Sequence, residues 1–366
     1  MLFYLTNSLI LGIDDDRLDG VRRCAKYLAL AMVEKKHIVR GDFEVLEWLA
    51  KIMEGYDSDS VKVYNRLYKR FATYTIPSCL HYYVKIVLDV SSENEYVSDN
   101  VKIKPIQYSY FKDSSKVQEM PFIGEDTADC VFYSHVGQYY LKENNLNLKL
   151  SMRMEKGNGS GIANATKNYV DRHNPVICII DSDRKYPGQP IDPISTYAKC
   201  DKVWRDLPQH NEIYSFLIVE AQEIENLIPY NYIDDLGLWD GQCEKNKEAY
   251  DKLYGSSDRE VILRYFDLKK GLKKNSEMNS CLEWLAFVVS CYSCFDPNCT
   301  EATIMQMDDK KELCPKLHGS LLKKINEYIK SHDNLSPLLL NFQLDEWNRI
   351  GGFLLDMCCA GKEEFV

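Results

Sequence analysis

Three short acidic clusters punctuate the middle of the chain: Glu125 and Asp129, then Asp181-Ser182-Asp183, then Glu223-Ile224-Glu225. Each follows an apolar run. Met120-Pro-Phe-Ile-Gly124 precedes the first, Pro175-Val-Ile-Cys-Ile-Ile180 the second, and Ile213-Tyr-Ser-Phe-Leu-Ile-Val219 the third. Short apolar runs bounded by polar residues read as buried strands. In an open α/β sheet, ligands bind beyond the carboxyl ends of parallel strands. Carboxylates gathered there repel one another and resist desolvation unless a cation neutralises them. Hard divalent ions take oxygen ligands, so the pattern points first to a metal site.

The elements that must position these residues alternate in type. After Glu125 the spacing predicts a helix over 128–141, then a strand over 146–152 in which Leu146, Leu148, Leu150 and Met152 alternate with polar residues. A glycine loop, Lys156-Gly-Asn-Gly-Ser-Gly161, leads into a helix over 162–170 and the strand 176–180. This β-α-β-α-β order is the signature of a parallel sheet. A loop with Pro187, Gly188, Pro190 and Pro193 precedes a helix over 195–207 and the last strand. The N-terminal part opens on an apolar strand, followed by a helix over 16–36 behind an Asp cap. Asp42 can cap a second helix bearing Leu46, Leu49, Ala50 and Met53, and strands are expected at 81–90 and 103–111. The polar stretch Lys112–Lys116 marks a boundary. The expected layout is an α+β domain over 1–115, a catalytic α/β domain over 116–275 and a helical domain over 276–366.

Composition narrows the function class. With 366 residues, 45% of them hydrophobic, the chain has room for two or three ordinary globular domains. A net charge of −10 argues against non-specific coating of nucleic acid, yet a nuclease with an acidic site and a locally basic groove remains compatible with it. No apolar run approaches the roughly 20 residues of a membrane span. The apolar N-terminus lacks the basic residues of a signal peptide, and 13 cysteines fit a reducing cytoplasm.

In this order and context the three clusters resemble the topoisomerase–primase (TOPRIM) domain, and more closely its version in the OLD (overcoming lysogenization defect) family of nucleases. The family's first motif is a strand, Glu, Gly, then Asp four residues after the Glu. Glu125-Asp126-Thr127-Ala128-Asp129 matches it with Asp126 in the usual glycine's place. Asp181-Ser182-Asp183 matches the D-x-D that ends the next strand, and Glu223-Ile224-Glu225-Asn226 matches the E-I-E-N element. The resemblance covers about residues 118–275 and leaves out the OLD ATPase half. It implies a TOPRIM-like parallel-sheet core and phosphodiester hydrolysis of DNA or RNA assisted by one or two Mg²⁺ or Mn²⁺ ions. Glu125 and Asp129 would bind one ion and help activate water. Asp181, Asp183, Glu223 and Glu225 would supply further oxygens. It also implies a lysine downstream that stabilises phosphate charge, with Lys270 the first choice and Lys269 the second. Proteins with such cores act in bacterial defence against phage, which implies a regulated toxic nuclease and a partner protein supplying ATPase or regulation.

Other chemistries find less footing. The glycine loop is not a P-loop, no H-x(3)-H or G-x-S-x-G spacing occurs, and the lone histidines His173 and His210 fit ordinary surface or core positions. Cys291 and Cys294 form a C-x(2)-C pair followed by Cys299, Cys314 and His318; this admits structural Zn²⁺, but buried free thiols fit the cysteine-rich region better. Two alternatives stand beside the nuclease: a primase or topoisomerase on the same fold, and a catalytically degenerate regulatory or interaction subunit.

Overall fold

The computed structural model describes residues 1–90, 95–158, 161–206, 213–237, 243–332 and 335–362. Gly159 and Ser160 of the glycine loop, with Leu207 and His210, lie outside the described residues. Contacts divide the chain into two compact units, one comprising 1–178, 202–216 and 349–366, the other 179–201 and 217–348.

The first unit begins with the expected strand β1 (Leu2–Leu5) and helix α1 (Asp15–Val33). Asp14 caps α1, its carboxylate accepting the Arg17 amide at 2.9 Å, and so satisfies one of the helix's orphan donors. Val21, Ala25, Leu28, Ala29 and Met32 are buried, the face read from the sequence. After β2 (Ile38–Gly41), Asp42 stands at the N-cap position of α2 (Phe43–Ile52) but makes no cap. Its carboxylate accepts the Tyr4 hydroxyl and the Asn7 amide, both at 2.7 Å. A part-buried phenol needs an acceptor, whereas the first amides of a surface helix can use water. Helix α3 (Ser58–Lys69) is additional to the expected elements. Strands β3 (Tyr82–Val87), β4 (Tyr96–Ser98) and β5 (Val101–Gln107) complete a five-stranded sheet of order β2-β1-β3-β5-β4, parallel except at its β4 edge. The strand expected to reach Phe111 stops at Gln107, because 108–112 tighten into a 3-10 helix that buries Tyr108 and Phe111.

A second sheet carries the acidic motifs. Its elements are β6 (Met120–Gly124), α4 (Thr127–Glu143), β7 (Leu148–Leu150), β8 (Met152–Lys156), α5 (Ile162–Val170), β9 (Val176–Ile180), α6 (Thr196–Arg205) and β10 (Tyr214–Ile218). The strand order is β10-β9-β6-β8, and β6 runs parallel to both β8 and β9. Both β6 and β9 are buried along their whole length, as strands of a parallel sheet covered on both faces must be. The Gly157 amide donates to Gly124 O at 2.8 Å, and a Cβ at Gly157 would meet that oxygen at 2.7 Å. The first glycine of the loop therefore lets the chain cross the end of β6.

The remaining elements are α7 (Tyr230–Asp235), α8 (Cys243–Gly255), α9 (Arg259–Tyr265), β11 (Leu272–Lys273), α10 (Leu282–Ser293), α11 (Glu301–Gln306), β12 (Glu312–Cys314), α12 (Leu321–Ser331), α13 (Asn341–Cys358) and β13 (Cys359–Gly361). The alternating run expected as one strand over 146–152 is two. It breaks at Ser151, whose amide donates to Cys358 O at 2.8 Å. β7 pairs antiparallel with β13, so Leu146, Leu148 and Leu150 pack around Leu2, Leu141 and Leu355, while β8 takes the place beside β6. Among the described residues no helix is long and apolar enough to cross a membrane.

Asp356 of α13 ties the entry of β3, its carboxylate accepting the His81 amide at 2.8 Å. Burial raises this carboxyl to about 6, against an ordinary 3.8. The folded chain therefore holds a proton that the unfolded chain releases at lower pH, and stability falls as pH rises from 3.8 to about 6. Asp356→Asn keeps an acceptor for the His81 amide without the charge. Melting curves across this window should show wild type losing stability relative to the variant as pH rises; parallel curves would remove Asp356 as the cause.

Candidate functional site

Where β9 ends, the chain turns through Asp181, Ser182 and Asp183. The Ser182 hydroxyl donates to Ala221 O at 2.6 Å and the Asp183 amide to Gln222 O at 3.0 Å, tying this turn to the segment after β10. Asp183 sits at φ 55°, a left-handed conformation that Asp tolerates better than most residues. Its amide bond to Gln222 holds that conformation, one residue from Glu223.

Glu223 opens a 3-10 turn over Ile224–Leu227, and Asn226 fixes the turn in place. The Asn226 Oδ1 accepts the Glu223 amide at 2.9 Å, and its Nδ2 donates to Leu263 O and Phe266 O, each at 2.7 Å. From α13, the Gln343 Nε2 donates to Asn226 O at 2.9 Å and Ile228 O at 3.0 Å, and the Trp347 indole donates to Leu227 O at 3.0 Å. The third acidic motif is thus a rigid, hydrogen-bonded corner.

The basic element faces it. After α9, the Asp267 Oδ1 accepts the amides of Lys269 at 3.0 Å and Lys270 at 2.7 Å, an Asx turn that presents both side chains together. The Lys269 Nζ lies 3.0 Å from Glu223 Oε2 and 3.1 Å from Glu225 Oε2. The Lys270 Nζ, more exposed, lies 3.4 Å from Glu223 Oε1 and 3.2 Å from Asp267 Oδ2. Gly271 closes the turn at φ 70°, where a Cβ would stand 2.5 Å from Cys314 O. Only glycine fits there.

Charge and burial oppose one another at this site. Glu223 is 7% exposed and Glu225 3%. Burial pushes the Glu225 carboxyl up to about 7, against the pull of Lys269. Burial also disfavours the Lys269 ammonium, but Glu225 and Glu223 outweigh it and raise the lysine's pKa. Burial, then Glu223, raises Asp183. The two glutamate oxygens that face Lys269 are ion-paired yet accept no hydrogen bond of good geometry. Two buried oxygens therefore share one ammonium. A cavity of about 730 Å³ opens on the cluster, with Asp183, Glu223 and Asp267 and also Lys185, Lys270 and Lys273 on its wall.

Of the residues singled out in the sequence, the second unit brings together Asp183, Glu223, Glu225, Lys269 and Lys270. Asp181, half-buried, directly follows β9. Glu125 and Asp129 belong to the first unit, past the end of β6. There Asp126 caps α4, accepting the Ala128 amide at 3.2 Å and pairing with Lys156 at 2.7 Å. The Asp129 Oδ2 accepts the Asp126 amide at 2.8 Å in return, completing a capping box. Among the described residues no three or more His, Cys, Asp or Glu side chains are arranged to hold a metal ion. At the glutamates, Lys269 fills the space a cation would take. Cys291 and Cys314 are buried, with both thiols raised by burial, and Cys294 and Cys299 are half-buried. Sequence reasoning missed Asp267 and Lys185. The spacing Asp267-x-Lys269-Lys270-Gly271 is an Asx-turn signal that could have found the first; nothing in the sequence marks the second.

Asn226→Ala should test how far the corner depends on one side chain. It leaves the Glu223 amide and two carbonyls without partners, each buried orphan costing about 1–3 kcal/mol. Denaturant unfolding should show a loss of about 3 kcal/mol or more, and a loss under about 1 kcal/mol would mean that other bonds hold the corner.

No protein-family model, no curated protein and no solved structure matches this chain.

Proposed function

We propose that the chain is a metal-dependent nuclease hydrolysing phosphodiester bonds in DNA or RNA. One observation carries the reading: a buried glutamate pair, Glu223 and Glu225, faces an Asx-turn lysine pair, and Glu223 and Lys270 of this cluster line a charged cavity. The donor set is oxygen only, as Mg²⁺ or Mn²⁺ requires, and two of its oxygens lack hydrogen bonds of good geometry. Glu223 and Glu225, with Asp183, would hold the ion once the Lys269 ammonium leaves the space between the glutamates, and a bound ion would supply a Lewis acid and lower the pKa of an attacking water. Lys270, exposed and held only by pairs of 3.2 and 3.4 Å, is the group that reaches a phosphate oxygen and offsets its charge. Lys269, deeper, pairs with both glutamates. Glu125, Asp129 and Asp181 enter as further ligands through the OLD-like resemblance alone, as do a cytoplasmic role in defence against phage and a partner protein supplying ATPase or regulation.

A second reading, a catalytically degenerate regulatory subunit, draws on the same ion pairs, since Lys269 already neutralises the carboxylates. Cleavage assays on single- and double-stranded DNA and RNA with Mg²⁺ or Mn²⁺ separate the two. Wild type should cleave at least one substrate, Asp183→Asn and Glu223→Gln should abolish cleavage, and Lys270→Ala should lower it by roughly 10²-fold. Titration calorimetry should show Mn²⁺ binding to wild type and loss of it in Glu223→Gln. Absence of both cleavage and metal uptake by wild type would leave the regulatory reading.

A further inference from the structure

The cavity beside the glutamates has a second wall that the carboxylate chemistry does not use. Trp284 of α10 lines it and is 6% exposed, yet its Nε1–H has no hydrogen-bond partner. Gln222, also 6% exposed, lines the same cavity, and its Oε1 is likewise unpartnered. An indole donor and an amide acceptor, both sealed from solvent and unpaired, each cost about 1–3 kcal/mol, a cost that a ligand offering an acceptor and a donor would remove on displacing the side chains that cover them. Over the indole face, 5.6 Å from its centroid, lies the Lys185 ammonium, while Tyr186 packs edge-on at 4.9 Å. Neither Lys185 nor Lys273 makes an ion pair among the described residues, and both are exposed.

An aromatic face, an unpaired donor and acceptor, and cations beside carboxylates match the parts of one nucleotide: a flat base with polar edges and an anionic phosphate. A base inside a duplex offers neither its face nor its pairing edge, whereas an unpaired base offers both. We infer that this cavity takes an unpaired nucleotide, so that the substrate is single-stranded nucleic acid, with the base on Trp284 and Gln222 and the phosphate on Lys185 and Lys270. The substrate assignment rests on the nuclease reading; the cavity chemistry stands apart from it. Lys185 exchanges its place over the indole for the phosphate, and the base takes the face it leaves. Lys185 and Lys273, the two wall lysines without an ion pair, can meet more than one phosphate, which favours a strand over a free mononucleotide.

Fluorescence anisotropy with the full chain tests this, using a labelled 12-nucleotide single strand and its duplex in chelator, so that binding is read without turnover. Wild type should bind the single strand at least about 10-fold more tightly than the duplex, the scale of one stacked base. Lys185→Ala, at an exposed position where the fold is not at risk, and Trp284→Phe, which keeps a ring but removes the N–H, should each erase most of that preference. A mononucleotide should compete only at far higher concentration. Equal binding of strand and duplex by wild type, or a preference unchanged in both variants, overturns the inference even if metal-dependent cleavage is found. Single-strand preference without any cleavage supports the cavity assignment and sinks the nuclease reading instead.

Discussion

Burying Glu223 and Glu225 two residues apart imposes a demand that shapes much of the second unit. Desolvation raises the Glu225 carboxyl, and the charge of Glu223 beside it adds to the rise. The chain answers with Lys269, whose ammonium sits about equally far from both carboxylates. A lysine can do this only if its backbone arrives at the right place and angle. Asp267, the glycine at 271 and the close pass of the segment after β12 supply that geometry. On the acidic side, Asn226 spends both its amide donors and one acceptor position on backbone groups of its own turn and of the α9 exit. The charged residues are adjustable in principle; the neutral ones around them are not.

The carboxylates of this protein divide into two uses that a sequence presents alike. Asp126 and Asp129 are engaged by backbone amides at the start of α4, and Asp42 by a tyrosine and an amide near the start of α2. Their oxygens have local partners. Those of Glu223 and Glu225 facing Lys269 are held by charge with no well-formed hydrogen bond. What distinguishes these carboxylates is how their oxygens are satisfied, not how acidic the motif looks.

The sequence was most legible where periodicity and burial coincide. The fully apolar runs at 120–124 and 176–180 became covered parallel strands, and the 3–4 spacing of Val21 to Met32 became the buried face of α1. It was least legible where a long-range partner decided the outcome. The alternation over 146–152 was real, but β13, more than 200 residues downstream, claimed half of it and β6 the other half. At the site, Asp183, Glu223, Glu225, Lys269 and Lys270 could be picked out as residues, but their meeting at one corner is set by the fold. Trp284 and Gln222 could not, because an orphaned polar atom is a property of packing and leaves no mark on residue type.

The corner at Glu223 is anchored from residues 343 and 347, more than 100 positions later in the chain. During synthesis the strands β9 and β10 and the Asx turn emerge well before that anchor. Until α13 has left the ribosome, the carbonyls of Asn226, Leu227 and Ile228 have water in place of side-chain donors, and the glutamate corner lacks these anchors. A growing chain thus holds all of its charged residues long before it holds their arrangement, so assembly of the site is timed by translation.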